Sequence, residues 1–585
     1  MIRVRLDDKE KRVSISVKCK INDVLEKELN LNRVYDEALG STFERLYASF
    51  TKHSSGGKNK KLKKENGDAS PEKEQVPLFL YDMENKLVPL ETKNIDAWKE
   101  NYIFKIKEQE FKVLVNLPTV KKINMPKILI AGMPAMVKLD FESDESTQQI
   151  LNKNSLFKWY SSQSVYEPAN LIELESDKKS KKPISLDGIE WDLIDEGIAK
   201  KTIVLDENTE NKLIKVECYP KDDVREGIAV EAVTANPVLQ KIDKAHMPMT
   251  ERHKLTQNRL DSKSMRVVTY NILANCYSDT SLAKTELYPY CPLEYLDFKY
   301  RKILLINEII NYNADIIFLQ ECETDFLDGD LKFAMADYIA KFKGKGERAK
   351  EGEAVLFRSD RFKFINSFDI TLSQELQNNP SFEKLWQNIS KDTERKEFIA
   401  GRGTVLQVVQ VESLEHPGQH FLLANTHLFF HPEADFIRLL QSMVSVKYLE
   451  KLKHEILTQN KDIKKIGILF AGDFNSDPLS QAFQYIFTQQ IPIGSMKDED
   501  KKFVEECDGH LVHSLNLGVY ADFPFTNCIG AFEGILDYVF YESDSFELTK
   551  VIPLPTVEKV KEFTALPNKF VPSDHLALVF EFSIK

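Results

Sequence analysis

Four apolar runs in the C-terminal half of the chain each stop at a side chain that metal or phosphate chemistry uses. Met265 to Tyr270 ends at Asn271, Ala314 to Gln320 at Glu321, Phe421 to Thr426 at His427, and Ile466 to Ala471, through Gly472, at Asp473. Asn475 follows two residues later, so a carboxylate and a carboxamide stand together past a strand-like run. Such oxygen donors suit a hard divalent cation like Mg²⁺, and Gly472 lets the backbone turn sharply ahead of them. Singly, each residue has an ordinary use: Asp473-x-Asn475 as an Asx turn, Asn271 as a turn former, Glu321 beside a helix N-cap, His427 as a buried ring. Four such endings together point to strand ends converging on a ligand, which is where α/β sheets place their sites. Asp537, within the run Ile535 to Tyr541, and Asp574-His575, just ahead of the run Leu576 to Phe582, add two carboxylates and an imidazole.

The elements that must position these residues alternate between strand and helix. Phe298 to Asn311 reads as an amphipathic helix through Ile303, Leu304, Ile306, Ile309 and Ile310, and Phe436 to Leu457 as a long one. An α/β catalytic domain over 264–585 follows. Upstream the texture is β-rich. Residues 1–125 read as a small α+β domain, with a strand at Val13 to Val17, a helix through Val34 to Phe50, and strands at Val76 to Tyr81, Tyr102 to Ile106 and Phe111 to Val115. Between them, 51–75 has the Lys, Gly, Ser, Asn and Glu content of a disordered basic loop, with Lys60, Lys61, Lys63 and Lys64 close together. Over 127–243, short strands between polar turns predict a β-sandwich. Phe157-Lys158-Trp159-Tyr160 and Leu213 to Cys218 resemble an immunoglobulin-like module, without an inter-sheet cysteine pair. The stretch 244–263 reads as a linker.

Composition narrows the function. A chain of 585 residues allows two to four domains. Its formal net charge of −12 excludes a protein coated in positive charge for indiscriminate DNA binding, so any phosphate-binding surface must be local. No apolar run reaches the roughly 18 residues of a membrane span. Seven scattered cysteines without a C-x-x-C pair give neither a disulfide framework nor a zinc site, and no Ser or Cys elbow offers a nucleophile. The first ten residues lack an apolar signal core and carry acidic residues, a poor mitochondrial presequence; the expectation from them is a cytoplasmic protein or a sequence without its leader.

The blocks Val268 to Leu273, Phe318 to Glu321, Ala424 to Leu428, Ala471 to Ser476, Leu536-Asp537-Tyr538 and Pro572 to His575 resemble, in order, the exonuclease-endonuclease-phosphatase superfamily. Phe525-Thr526-Asn527 followed by Phe532-Glu533-Gly534 is similar to its deadenylase branch. Leu287 to Cys291, Tyr312 to Asp315, His431-Pro432-Glu433 with Ile437-Arg438-Leu439, and Val551 to Pro555 resemble the 2′,5′-phosphodiesterases of that branch. Phe157 to Tyr160 and Ile130-Ala131-Gly132 extend the likeness into the N-terminal region.

The resemblance implies a four-layer α/β sandwich, preceded here by the β-rich modules. It implies Mg²⁺, one or two ions, with Mn²⁺ as a substitute, held by Glu321, Asp473, Asn475 and Asp574. Asp473 or His575 would act as general base on an attacking water. His575 held by Asp537, together with His427 and Asn271, would bind the phosphate. Asn527, Phe532 and Pro432 would hold an adenine. The implied substrates are 2′,5′-linked oligoadenylate and 3′,5′ poly(A) RNA tails, cut from the 2′ or 3′ end to release 5′-AMP. No membrane contact is expected and no obligate protein partner is evident, and the resemblance places the protein in the mitochondrial matrix. Two alternatives stay open at this point: another phosphatase or phosphodiesterase of the superfamily, and a catalytically inactive RNA-binding scaffold.

Overall fold

The computed structural model describes residues 2–20, 26–54, 77–126, 128–141, 145–167, 186–241, 247–346, 349–504 and 509–585. Most of the loop expected at 51–75 therefore lies outside the described residues. Among these, no helix is long and apolar enough to cross a membrane.

Two large sheets stack in the C-terminal half. The first has six strands, in chain order β1 (Ser264–Asn271), β2 (Ile316–Glu323), β3 (Tyr338–Gly344), β4 (Glu351–Arg358), β12 (Phe546–Val551) and β13 (Leu578–Ile584). The second contains β5 (Phe362–Ser367), β6 (Val405–Ser413), β7 (Gln419–His427), β8 (Lys465–Asp473) and β11 (Asp537–Glu542). A two-strand ribbon, β9 (Asn527–Ile529) with β10 (Phe532–Gly534), stands apart. The spatial orders are β3-β4-β2-β1-β13-β12 and β5-β6-β7-β8-β11.

Every central strand is buried on both faces, which is why its sequence reads as a continuous apolar run. Met265, Val267, Phe318, Leu423, Leu469 and Phe580 fill the space between the sheets. Helix α1 (Phe298–Asn311) covers the outer face of the first sheet through Leu305, Ile306 and Ile309. Helix α2 (Asp435–Gln459) covers the second through Leu439, Leu440 and Val444. The result is the expected four-layer sandwich. Phe436 through Val446 are all buried, because α2 is wedged between its sheet and the helices Leu372–Asn378 and Gln481–Thr488.

Strand direction gathers the chemistry at one edge. β1 and β2 run parallel, as do β7 and β8, so Asn271, Glu321, His427 and Asp473 all emerge at the same end. β11 runs antiparallel to β8 with Asp537 opposite Asp473, and β13 runs antiparallel to β1, bringing Asp574 and His575 in just before its start. The strand expected from Ile535 begins only at Asp537, since the amides of Leu536 and Asp537 donate to Thr526 Oγ1 instead of a ladder partner.

At the N-terminus, a six-stranded sheet packs beneath the helix Leu39–Ser54. The helix starts later than the Val34 expected, because Glu26–Val34 continues as a strand. The next region combines a four-stranded antiparallel sheet with two short ribbons around Phe157, Trp159 and Val216, and it also contains a helix, Glu145–Asn154, where only strands were expected. Ile128, Ile130 and Met133 of this region pack with Tyr300, Ile303 and Leu304 of α1. The described part of the stretch read as a linker is docked. It forms the helix Thr250–Leu255, whose buried Arg252 donates to the carbonyls of Pro553 and Ala577 and to the Tyr312 hydroxyl.

Candidate active site

The site grows out of local backbone strain at the two sheet ends. Leu273, Glu321 and Asn475 all adopt left-handed φ values, 53°, 56° and 47°, a conformation non-glycine residues hold only where surrounding structure imposes it. At Glu321 this coincides with a bulge between β2 and β4, which turns the side chain out of the strand's alternation. Gly472 serves a close approach rather than the turn its sequence position implied. It lies within β8, opposite Thr426 of β7, and any Cβ there would fall 1.9 Å from the Thr426 carbonyl oxygen.

Asn271 ties the two sheets together. Its Nδ2 donates to Glu321 Oε1 at 3.1 Å and to Asp473 Oδ2 at 3.0 Å, while its Oδ1 accepts from the Leu273 amide. Glu321 Oε2 accepts from the Ala274 amide at 2.9 Å, and Asp473 Oδ1 from the Asn475 amide at 2.9 Å. The Asn475 carboxamide donates to the Leu428 carbonyl. Two imidazoles face Asp473 Oδ2, each with Nε2 at 3.5 Å: His427 and His575. His575 Nδ1 lies 2.8 Å from Asp537 Oδ2, which also accepts from Thr526 Oγ1 at 2.6 Å. Asp574 Oδ2 accepts from the Tyr288 hydroxyl at 2.7 Å.

The electrostatics separate these groups. Burial lowers the pKa of His575, but the carboxylates of Asp537 and Asp473 overcome it and hold the ring well above its usual range. His427 moves the other way, driven well below its usual range by burial and then by the Lys345 and His575 charges. Burial raises Asp473 to about 6, with His575 opposing and Asp537 adding. Glu321 is pushed up to about 7 by burial, then by the charge of Asp574. One imidazole is thus cationic and the other neutral, and the carboxylates beside them are poised to take up a proton.

A hard cation fits this donor set on the Glu321 side. Glu321 and Asp574 repel each other in a buried space, the Lys345 charge offsets only part of that repulsion, their oxygens accept from neutral donors, and Asp473 Oδ2 shares the Asn271 amide with Glu321. Ligand atoms of Asp473, Asp537 and His575 also lie within 4.8 Å of one another. In that trio His575 Nδ1 and Asp537 Oδ2 are already paired at 2.8 Å, and Thr526 Oγ1 donates to the same oxygen, so fewer donor atoms are left for an ion than on the Glu321 side.

The three residues expected at a base lie around the rim. Asn527, buried, forms a bridge with His575, and its Oδ1 is without a hydrogen-bond partner. Phe532, 53% exposed, sits on the β9-β10 ribbon with its ring across Gly534, where a Cβ would fall 2.8 Å from Cζ. Pro432 is exposed on the loop between β7 and α2. All eleven residues singled out in the sequence lie at this end of the sandwich or on its rim. Sequence reasoning missed four that hold them: Tyr288 on Asp574, Thr526 on Asp537, Lys345, whose Nζ is 2.8 Å from His427 Nδ1, and Arg438, which donates to the Pro432 carbonyl. Tyr288, Thr526 and Arg438 stood inside the quoted motifs, which was the available signal; Lys345 stood in none.

The chain is similar to known proteins along nearly its whole length. It is 28% identical to the 2′,5′-phosphodiesterase 12 of Homo sapiens over 577 residues, 95% of this chain and 90% of that one, and 27% identical to that of Mus musculus over the same shares. The CCR4-Not complex 3′-5′-exoribonuclease subunit Ccr4 of Kluyveromyces lactis is 27% identical over 347 residues, 56% of this chain and 42% of that one. The crystal structure of ANGEL2, a 2′,3′-cyclic phosphatase, aligns with a TM-score of 0.45 and 21% identity, over 55% of this chain and 95% of that one. Residues 268–575, more than half of the chain and reaching from within β1 to His575, match the Endonuclease/Exonuclease/phosphatase family, and the chain belongs to it.

Proposed function

We propose that this hydrolytic enzyme is a Mg²⁺-dependent phosphodiesterase that removes 5′-AMP from the 2′ or 3′ end of 2′,5′-linked oligoadenylate and of 3′,5′ poly(A) RNA. The observation that carries the reading is the pairing of a cationic His575 with a neutral His427 across Asp473, beside the Glu321–Asp574 carboxylates. The likeness to 2′,5′-phosphodiesterase 12 over 95% of the chain supports the substrate class.

Glu321, Asp574, Asp473 and Asn475 would hold a divalent cation, which would supply charge neutralisation on the phosphate and a more acidic water. Asp473, whose Oδ1 is fixed by the Asn475 amide and whose Oδ2 faces both imidazoles, takes the proton of the water that attacks phosphorus in line. His575, held cationic by Asp537, donates through Nε2 to a non-bridging phosphate oxygen as charge builds in the pentavalent transition state. Asn271 keeps Glu321 and Asp473 at fixed separation, so the two sheets cannot drift apart at the reacting centre. The bond from phosphorus to the 2′- or 3′-oxygen breaks on the far side, leaving the phosphate on the released nucleotide, and the freed oxygen takes up a proton from solvent water. The exposed Phe532 ring stacks on the terminal adenine opposite Pro432, and Asn527, bridged to His575, lines the nucleotide side of the site.

The test is to incubate the full chain with 2′,5′-triadenylate, 3′,5′-oligo(A) and oligo(U), with Mg²⁺ or with EDTA, and to follow 5′-AMP. Release from both adenylates that EDTA abolishes is expected; no AMP from either in Mg²⁺ removes the reading.

A further inference from the structure

Lys345 follows the last residue of β3, near the edge of the first sheet, and reaches across to the second. Its backbone is fixed on two sides: its amide donates to the Glu351 carbonyl at 3.3 Å, and its own carbonyl oxygen lies so near Gly403 that a Cβ there would fall 2.3 Å from it. The side chain, 16% exposed, runs inward. Nζ is 3.2 Å from Glu351 Oε1 and 2.8 Å from His427 Nδ1. Glu353, buried two residues along β4, has no hydrogen-bond partner on either carboxylate oxygen. Burial pulls the Lys345 ammonium down, and Glu353, Glu351 and Glu321 more than restore it, so it stays charged.

An ammonium has three N–H donors and no lone pair, so the imidazole nitrogen it meets at 2.8 Å must accept. His427 Nδ1 therefore carries no proton, and the ring's single proton sits on Nε2. Nε2 is the atom that faces Asp473 Oδ2 and the reacting centre. The opposite tautomer would set two donors against each other at Nδ1 and present a lone pair to Asp473 and to an incoming phosphate.

We infer that Lys345 is a positioning residue which, by donating to Nδ1, locks His427 in the Nε2–H tautomer and so turns it into a hydrogen-bond donor toward the phosphate. This rests on the hydrolytic reading of the site for its consequence, although the tautomer itself can be read without substrate. Glu351, with Oε1 3.2 Å from Nζ, aims the lysine; of these side chains His427 alone touches the substrate.

The experiment uses the full chain labelled with [15N]histidine, the His427 signals being assigned by their loss in His427→Gln. Long-range 1H–15N correlation near neutral pH is expected to show an unprotonated Nδ1 and a protonated Nε2, and Lys345→Met to bring in the Nδ1–H form. On 2′,5′-triadenylate with Mg²⁺, Lys345→Met should lower kcat about tenfold or more with KM changed less than about twofold, the pattern of an interaction made in the transition state. Lys345→Arg, which keeps a donor, should retain most of the rate, and in a His427→Gln background Lys345→Met should cost nothing further. A protonated Nδ1 in the unmodified protein overturns the inference, even if no lysine variant folds. So does a tautomer unmoved by Lys345→Met, or an equal loss of rate in the His427→Gln background. If no adenylate is cleaved at all, the proposed function fails while the spectrum still decides the tautomer.

Discussion

His575 Nδ1 donates to Asp537 Oδ2 at 2.8 Å, and Thr526 Oγ1 donates to the same oxygen at 2.6 Å, so one carboxylate oxygen anchors the imidazole from within the core. The remaining oxygen, Asp537 Oδ1, is buried without a partner. The carboxylate acts on the ring and not on the substrate, and this separation makes its effect measurable. Asp537 and Asp473 hold His575 protonated against the pull of burial.

Asp537→Asn should therefore lower kcat by roughly 10²- to 10⁴-fold, the span of a lost acid-base or orienting group. The pH dependence carries the sign. A histidine whose folded pKa is raised stays cationic through neutrality and loses its proton only at high pH. Removing Asp537 lowers that pKa, so the alkaline limb of the kcat profile should move toward neutral pH. An unchanged alkaline limb would show that His575 does not act as a cation.

Phe532 is exposed and carries little of the core, so Phe532→Ala should leave thermal stability within a degree or two while weakening selection of oligo(A) over oligo(U). Loss of a stacked base costs about 1 to 3 kcal/mol, roughly 5- to 150-fold in kcat/KM. Competition between labelled oligo(A) and oligo(U) measures it, and unaltered selectivity would remove Phe532 from base recognition.

The strand ends were legible because burial made them so. β1, β2, β7 and β8 are covered on both faces, so the amide, carboxylate or imidazole that closes each apolar run stands at the strand's last residue or, for Glu321, two residues before it. Asp537 was placed inside a strand that in fact begins with it, since the competing acceptor, Thr526 Oγ1, is a tertiary neighbour. Lys345 was not legible at all. It ends an alternating Lys341, Lys343, Lys345 pattern that reads as a solvated strand face, and only its position against Glu351 and His427, the latter on the other sheet, sets it apart. The docking of Arg252 was hidden for the same reason: its acceptors are backbone carbonyls some 300 residues away, at Pro553 and Ala577.

Glu321 gives a test of the cation site that needs no substrate. Burial and Asp574 raise its folded pKa to about 7 from an ordinary 4.5, so between those values the folded protein binds more protons than the unfolded chain. Stability of the metal-free protein should accordingly fall as pH rises through that window. Glu321→Gln removes the titrating group and should flatten that part of the dependence. The unmodified protein should gain melting temperature on adding Mg²⁺ or Mn²⁺ at pH 8, less so at pH 6 where protons compete, and Glu321→Gln should gain little at either. A variant that keeps the full metal-dependent shift would exclude Glu321 as a ligand.

Arg438 bears on substrate at one remove. Buried in the first turn of α2, it donates through Nη1 to the carbonyls of Phe429 at 3.2 Å and His431 at 2.5 Å, and through Nη2 to that of Pro432 at 3.2 Å, while pairing with Asp435. Its planar fork thus fixes three points of the loop that presents Pro432, a geometry the single point charge of a lysine cannot reproduce. Arg438→Lys loses about two such bonds, each contributing about 1 kcal/mol. If the loop positions the adenine, KM for oligoadenylate should rise roughly 5- to 30-fold while kcat changes less than about twofold. The loop lies beside the base and not beside the phosphorus, so a fall in kcat at constant KM would mean that Arg438 supports the catalytic sheet instead.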